Sequence, residues 1–176
     1  VSTGKLASCP FFPYSYFDQP YHYSLGLEAI PLFDPSLSAS SRCNEPAEVI
    51  DVFSANLSSL YQKLHTVISD HKSIFPFLEF DGVDASLAPF PRSSQSLSLV
   101  FKRFGLISVG HAGTAYVVRL ITSAIKSSFN TVPLSPVGFN GCMFSVLEDD
   151  GLADSAICNT FSYDSLLLFS TLCGCG

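Results

Sequence analysis

The sequence predicts an α+β domain: a mostly antiparallel sheet with two helices packed on one side, preceded by an extended N-terminal arm rich in proline and aromatic residues. Three observations lead to this fold class. Apolar residues recur at helical spacing over residues 44–72, and a second helical pattern follows residue 114. The last third carries the turn signals Asn140-Gly141 and Asp150-Gly151 between apolar runs, which is typical of hairpins. This order of elements fits helices on one side of a sheet.

Length and composition favour one domain and argue against two classes of partner. The chain has 176 residues, of which 47% are hydrophobic and 14% are charged, so it can bury a substantial core. Its apolar runs are much shorter than the roughly 20 residues of a transmembrane helix. The net charge is −6 and the nine Lys and Arg residues are scattered, so no basic stripe is available for nucleic acid. We expect neither a transmembrane span nor nucleic-acid binding.

Residues 1–43 are predicted to form the extended arm, and residues 44–176 a single α+β domain. Five prolines between residues 9 and 35 remove hydrogen-bond donors that helices and sheets require. The aromatic rings of the arm would be costly to leave in water, at about 25 cal/mol per Å². They must therefore cover either their own domain or a neighbouring subunit. The candidate partner-contact residues are Phe11, Phe12, Tyr14, Tyr16, Phe17, Tyr21 and Tyr23.

The first helix is predicted over residues 44–72. Asn44 is expected to cap its first turn, Pro46 stands where a proline costs no hydrogen bond, and Pro76 prevents continuation. Its predicted buried face consists of Ile50, Phe53, Leu57, Leu60, Leu64 and Val67.

The remaining elements follow in order. Residues 73–95 are predicted to form a long connection with a turn at Asp81-Gly82, and the alternating residues 96–109 a strand interrupted at Gly105. Thr114 is expected to cap a second helix that ends near Phe129. Residues 142–147, 156–163 and 165–173 are candidate strands, and residues 166–172 also fit a short buried helix.

Six cysteines, at positions 9, 43, 142, 158, 173 and 175, are compatible with up to three disulfide bonds. The alternative is that they are buried free thiols. Disulfide bonds are favoured slightly, which predicts a secreted protein in an extracellular or other oxidising compartment. The first residue is Val1 rather than methionine, as in a chain with a processed N-terminus, although a trimmed chain would look identical.

A cysteine nucleophile requires a histidine base within hydrogen-bond reach. Cys142, after the Asn140-Gly141 turn, and Cys9 are the candidate nucleophiles, with His111 or His65 as the base. The sequence contains no Gly-x-Ser-x-Gly elbow and no cysteine or histidine pair at zinc-ligand spacing. We therefore predict neither a metal site nor a cofactor.

A glycine-containing turn stands before the second predicted helix. Gly110, Gly113 and Thr114 form a candidate anion site, because such turns let backbone amides approach an anion at the positive end of a helix. Neither the dinucleotide-binding nor the P-loop spacing is present, and no lysine stands at the helix start. The alternative is a turn that simply requires small residues.

No catalytic set converges in the sequence. The favoured function is therefore a non-enzymatic interaction or structural protein, a subunit or partner-binding domain in an assembly or homo-oligomer. Two alternatives from other classes stay open. One is a small thiol hydrolase using Cys142 or Cys9 with a histidine base. The other is a carrier that holds an apolar small molecule between the long helix and the sheet.

Overall fold

The computed structural model describes residues 21–37 and 45–173. Within these residues the chain is mostly helical, and the one sheet has two parallel strands. The strands are β1 (His22–Gly26) and β2 (Glu79–Asp84), and the helices are α1 (Pro46–Ile74), α2 (Leu97–Arg103), α3 (Thr114–Ser128), α4 (Asp150–Ile157) and α5 (Tyr163–Cys173). The prediction of a mostly antiparallel sheet with two helices is therefore wrong. The predicted contact residues Phe11, Phe12, Tyr14, Tyr16 and Phe17 lie outside the described residues, as do Cys9 and Asn44.

The long helix α1 is present where the apolar spacing predicted it. Its N-cap is Glu45, whose backbone amide donates a hydrogen bond to the carboxylate of Glu48 at 3.3 Å in a capping box. The buried face is rotated from the predicted one, since Val67 is 62% exposed. The core lies mainly against the first four turns, whose buried residues are Val49, Val52, Phe53, Asn56, Leu57 and Tyr61.

The sheet is a β-α-β unit, because α1 connects the two parallel strands. His22 pairs with Glu79 and Gly26 with Asp84. The Asp81-Gly82 pair, predicted as a turn, lies inside β2. An added Cβ on Gly82 would collide with the carbonyl oxygen of Ser135, so this glycine permits close approach of two backbones.

Residues 135–143 form an irregular segment that runs beside β2 and the residues after it, on the side opposite β1, with parallel bridges at two points. Isolated bridges join Val83 to Pro136 and Leu87 to Cys142. The amide of Val83 donates to the carbonyl of Ser135 at 2.9 Å, and the amide of Leu87 donates to that of Gly141 at 2.8 Å. Strand β2 is therefore flanked by β1 on one side and by residues 135–137 on the other.

The strand predicted over residues 96–109 is instead helix α2 followed by a loop. The hydroxyl of Ser96 accepts a hydrogen bond from the amide of Ser98 at 3.1 Å, which caps the helix. Leu97, Val100 and Phe101 are buried, and their spacing of three and four suits one face of a helix. The alternation of residues that predicted a strand here was therefore too short to distinguish a strand from a helix.

The predicted strands of the last third are also wrong. Residues 150–157 and 163–173 form α4 and α5, and residues 142–147 form no strand beyond the bridge at Cys142. The Asp150-Gly151 pair begins a helix, because the carboxylate of Asp149 accepts a hydrogen bond from the amide of Leu152 at 3.0 Å. Asn140 does adopt a left-handed φ of 51°, but its turn joins no hairpin. The alternative of a short helix over residues 166–172 agrees with α5.

The second predicted helix is present as α3, which packs against α1 and α5. Its N-cap is Gly113, with a left-handed φ of 99°, rather than Thr114. Phe33 stacks on Phe53 of α1 with ring centroids 4.2 Å apart, so residues of the predicted arm contribute to the core. In the described ranges no helix combines the length and apolar character required to span a membrane.

Candidate functional site

Cys142, the first candidate nucleophile, is only 1% exposed in the core. Burial raises the pKa of its thiol well above the ordinary value, and the nearby Cys173 acts in the same direction. The Cys173 thiol donates a hydrogen bond to the carbonyl oxygen of Cys142 at 3.3 Å. Because the thiolate is the reactive form, these surroundings suit a packed core thiol rather than a nucleophile.

The predicted disulfide bonds are absent among the described cysteines. Cys142 and Cys173 are buried thiols, and Cys158 is an exposed thiol. The other three cysteines, at positions 9, 43 and 175, lie outside the described residues. The prediction of a secreted, disulfide-bonded structural protein is therefore wrong in its disulfide bonds, and secretion, which depended on them, loses its basis.

The two candidate bases are exposed and lie in different places. His65 is on the solvent side of α1, and His111 is in the loop before α3. The Nδ1 atom of His111 lies 2.7 Å from the Ser108 hydroxyl. Within residues 21–37 and 45–173, no hydrogen bond joins either histidine to Cys142.

The candidate anion site uses its donors internally. The Gly110 amide donates to the Thr114 hydroxyl oxygen at 3.0 Å, and the Thr114 amide donates to the carbonyl of His111 at 3.0 Å. The Thr114 hydroxyl donates to the same carbonyl at 2.8 Å. An added Cβ on Gly110 would collide with the carbonyl of Thr160. This geometry favours the alternative of a turn that requires small residues.

An open cleft of about 310 Å³ lies between α2, α4 and the loop that precedes α3. We call it the α2–α4 cleft. It is within the range of sizes that small-molecule sites occupy. Its lining consists of Ser98, Lys102, Ile107, Ser108, His111, Gly151, Asp154, Ser155, Cys158 and Thr160.

The buried carboxylate of Asp149 holds the two helices of this cleft together. Asp149 is 2% exposed and accepts hydrogen bonds from the amide of Leu97 at 2.6 Å and the amide of Leu152 at 3.0 Å. It also accepts from the hydroxyl of Ser96 and the amide of Phe90. One negative charge therefore satisfies the positive ends of both α2 and α4.

The opposite wall of the cleft is fixed by Thr160. Its hydroxyl lies 2.7 Å from the carbonyl oxygen of Val109 and 3.0 Å from that of Ser155, which ties the loop to the end of α4. The hydroxyls of Ser98 and Ser155 are also engaged within the protein. The hydroxyl groups of the cleft therefore support its shape.

The charged groups of the cleft differ from its hydroxyl groups in their contacts within the protein. Lys102 comes from α2 and Asp154 from α4, and within the described ranges neither takes part in an ion pair or a side-chain hydrogen bond. Sequence reasoning selected His111 but missed Lys102, Asp154 and Cys158. In a helix, Asp154 and Cys158 are four residues apart and share a face. The sequence analysis placed Cys158 in a predicted strand and Asp154 beside a predicted hairpin turn, which concealed that relation.

A second exposed feature is a cluster at the end of α1 and the start of both strands. We define the aromatic surface as Tyr21, Ile74, Phe75 and Phe77, whose exposed fractions range from 39% to 68%. The ring of Phe77 makes edge-on contacts with Tyr21 at 5.6 Å and with Phe75 at 6.0 Å between centroids. Tyr23 is half-buried beside it, 5.6 Å from the ring of His71.

Two other kinds of site have little support in the described part of the chain. An apolar cavity beside Ile30 and Phe90 has a volume of only about 20 Å³, which is room for one water molecule rather than an apolar ligand. Within the same ranges, no group of three or more histidine, cysteine or acidic side chains is close enough to hold a metal ion.

Comparison with known proteins identifies relatives without an assigned activity. The family model described as Uncharacterised ACR (DUF711) matches residues 2–176. A UPF0210 protein of Oenococcus oeni is 33% identical over 99 residues, which cover 56% of this chain and 22% of that protein. A UPF0210 protein of Limosilactobacillus fermentum is 27% identical over 130 residues, covering 74% and 28%. One from Pyrobaculum arsenaticum is 30% identical over 97 residues, covering 55% and 22%.

The matched region therefore spans about a quarter of the length of these curated relatives. No solved structure matches the chain.

Proposed function

This chain belongs to the DUF711 family of uncharacterised proteins, and from its own surface we propose that it is a non-enzymatic interaction domain whose aromatic surface binds a second copy of the chain. The observation that carries the proposal is the exposure of four large apolar side chains, of which the rings of Tyr21, Phe75 and Phe77 contact one another in a chain through Phe77. Aromatic residues are enriched where proteins meet, because they remove much apolar area from water at little cost in side-chain entropy.

The partner is a second copy because the chain itself supplies matching chemistry. Five aromatic residues stand in the 20 residues immediately before Tyr21, and none of the four side chains of the aromatic surface is charged. The four side chains themselves therefore bring no like charges into contact, even though each copy carries a net charge of −6. A symmetric dimer would use the same surface on both copies.

The area of the surface sets the expected affinity. Four half-exposed large side chains offer on the order of 400 Å² per copy, or roughly 800 Å² for two copies. Stable interfaces bury about 1,600 Å². We therefore expect weak, concentration-dependent association with a Kd in the micromolar range or above, and little dependence on salt because the contact is apolar.

The two alternatives have less support. The thiol hydrolase requires a reactive thiol, whereas burial raises the pKa of Cys142. The carrier requires an apolar cavity, and the one beside Ile30 is too small for a ligand. Cys9 lies outside the described residues.

Sedimentation velocity over a wide range of protein concentration tests the proposal. We expect a reversible monomer–dimer equilibrium that Phe77→Ser shifts to monomer by at least tenfold in Kd. The matched control is Leu167→Ser, which changes an exposed apolar residue on α5 and should leave the equilibrium unchanged. A wild-type chain that stays monomeric at every concentration would refute the proposal, and so would a dimer that only the Leu167 change disrupts.

A further inference from the structure

We propose that the α2–α4 cleft binds a small zwitterion of the α-amino acid class, with Lys102 contacting its carboxylate and Asp154 its ammonium group. The proposal is independent of self-association, because the cleft and the aromatic surface are lined by different residues.

The first support is the arrangement of charge. Lys102 and Asp154 line one cleft from two helices, and no ion pair within 4.0 Å joins them. A ligand with only a negative charge would meet Asp154, and a ligand with only a positive charge would meet Lys102. A molecule with both charges satisfies the two side chains together, and charge-assisted hydrogen bonds are the stronger kind.

The second support is the rigidity of the walls. The shared carboxylate of Asp149 fixes the starts of both helices, and Thr160 fixes the loop against α4. Gly151 allows the helices to approach closely, since an added Cβ there would collide with the hydroxyl of Ser98. Binding would therefore require little ordering of the backbone, which lowers its entropic cost.

The third support is the remaining chemistry of the lining. Ile107 is 80% exposed at the cleft and offers an apolar contact for a ligand side chain. Ser108 engages Nδ1 of His111, and Nε2 of the same ring has no partner in the described part of the chain. A volume of about 310 Å³ is at the lower end for ligand pockets, which favours a molecule of amino-acid size.

Isothermal titration calorimetry with L-leucine and L-serine tests the inference on the full chain. The matched probes are 4-methylpentanoate, which is leucine without its ammonium group, and 3-methylbutylamine, which is leucine without its carboxylate. We expect at least one amino acid to bind with a Kd below about 1 mM. If that ligand is leucine, both analogues should bind at least tenfold more weakly. If it is serine, the matched probes are 3-hydroxypropionate, which lacks the ammonium group, and ethanolamine, which lacks the carboxylate.

Variants identify the charges involved. Lys102→Gln and Asp154→Asn should each weaken amino-acid binding at least tenfold, and Asp154→Asn should in addition improve binding of the carboxylate analogue. Lys126→Gln is the control, because Lys126 is exposed on α3 and does not line the cleft. Unchanged circular dichroism spectra will show that the variants fold. The inference is overturned if neither amino acid binds, if the carboxylate analogue binds as tightly as its parent, or if Lys126→Gln has the effect expected of Lys102→Gln.

Discussion

Replacing Asp149 with alanine should destabilise the protein strongly, because one buried carboxylate serves two helices. It caps α4 through the amide of Leu152 and the first turn of α2 through the amide of Leu97. Loss of the α4 cap costs about 1 kcal/mol. The buried amide of Leu97 and the part-buried amide of Phe90 also lose their acceptor, which adds about 1 kcal/mol each. The expected loss is about 3 kcal/mol, a large fraction of the usual stability of a domain.

Urea unfolding followed by far-ultraviolet circular dichroism measures this loss. The slope of the free energy of unfolding against urea concentration should be the same in variant and wild type, as expected if both unfold in a two-state transition. Asp149→Asn retains one acceptor oxygen and should lose about half as much, so it remains measurable if the alanine variant does not fold. Asp150→Ala is the control: Asp150 is exposed in the first turn of α4 and should contribute about 0.5 kcal/mol. An alanine variant at position 149 within about 1 kcal/mol of wild type would refute the reasoning.

Three further predictions follow from buried contacts. Gly151→Ala should cost about 2 kcal/mol in urea unfolding because its Cβ has no space, whereas Gly26→Ala, with nothing within 4 Å, should change stability by less than about 0.5 kcal/mol. Burial raises the pKa of Tyr61 from 10.0 to about 12, so the folded state favours the protonated hydroxyl. The stability that depends on this protonated form should be complete below pH 10 and lost as the pH rises to 12. Tyr61→Phe should abolish that loss and add up to about 1 kcal/mol at neutral pH, since the buried Tyr61 hydroxyl lies near Ser128 but makes no hydrogen bond of good geometry in the described residues. Mass spectrometry after iodoacetamide treatment of the native protein should show alkylation at Cys158, while Cys142 should react only after unfolding; equal rates would contradict the burial of Cys142.

The helices that the sequence predicted correctly are the ones with many repeats of the apolar pattern. The spacing in α1 extends over 29 residues and that in α3 over 15, so the helical period is clear in both. Helix α2 has only seven residues, and its pattern suits a strand as well as a helix. What decides between them is the carboxylate of Asp149, which lies 52 residues further along the chain from Leu97. A local pattern cannot contain that information.

The parallel sheet could not be predicted for a related reason. The partners His22 and Glu79 are separated by the whole of α1, and β2 contains an Asp-Gly pair that is usually read as a turn. The same limitation applied to the cleft. His111 could be selected as a lone histidine near glycines, but Lys102 was in a segment predicted as a strand and Asp154 was beside a predicted hairpin turn. Only the folded arrangement of α2 and α4 brings them to one opening.

The pairing of β1 with β2 has a consequence for shortened versions of the protein. The first strand comes from residues that precede α1, so a truncated chain beginning at α1 would lack it. Residues 135–143 occupy the other side of β2 through the bridges at Val83 and Leu87, and they would leave the vacated edge open. Exposed strand edges recruit strands from other molecules. Such a truncation would therefore aggregate even though most of its hydrophobic core remained.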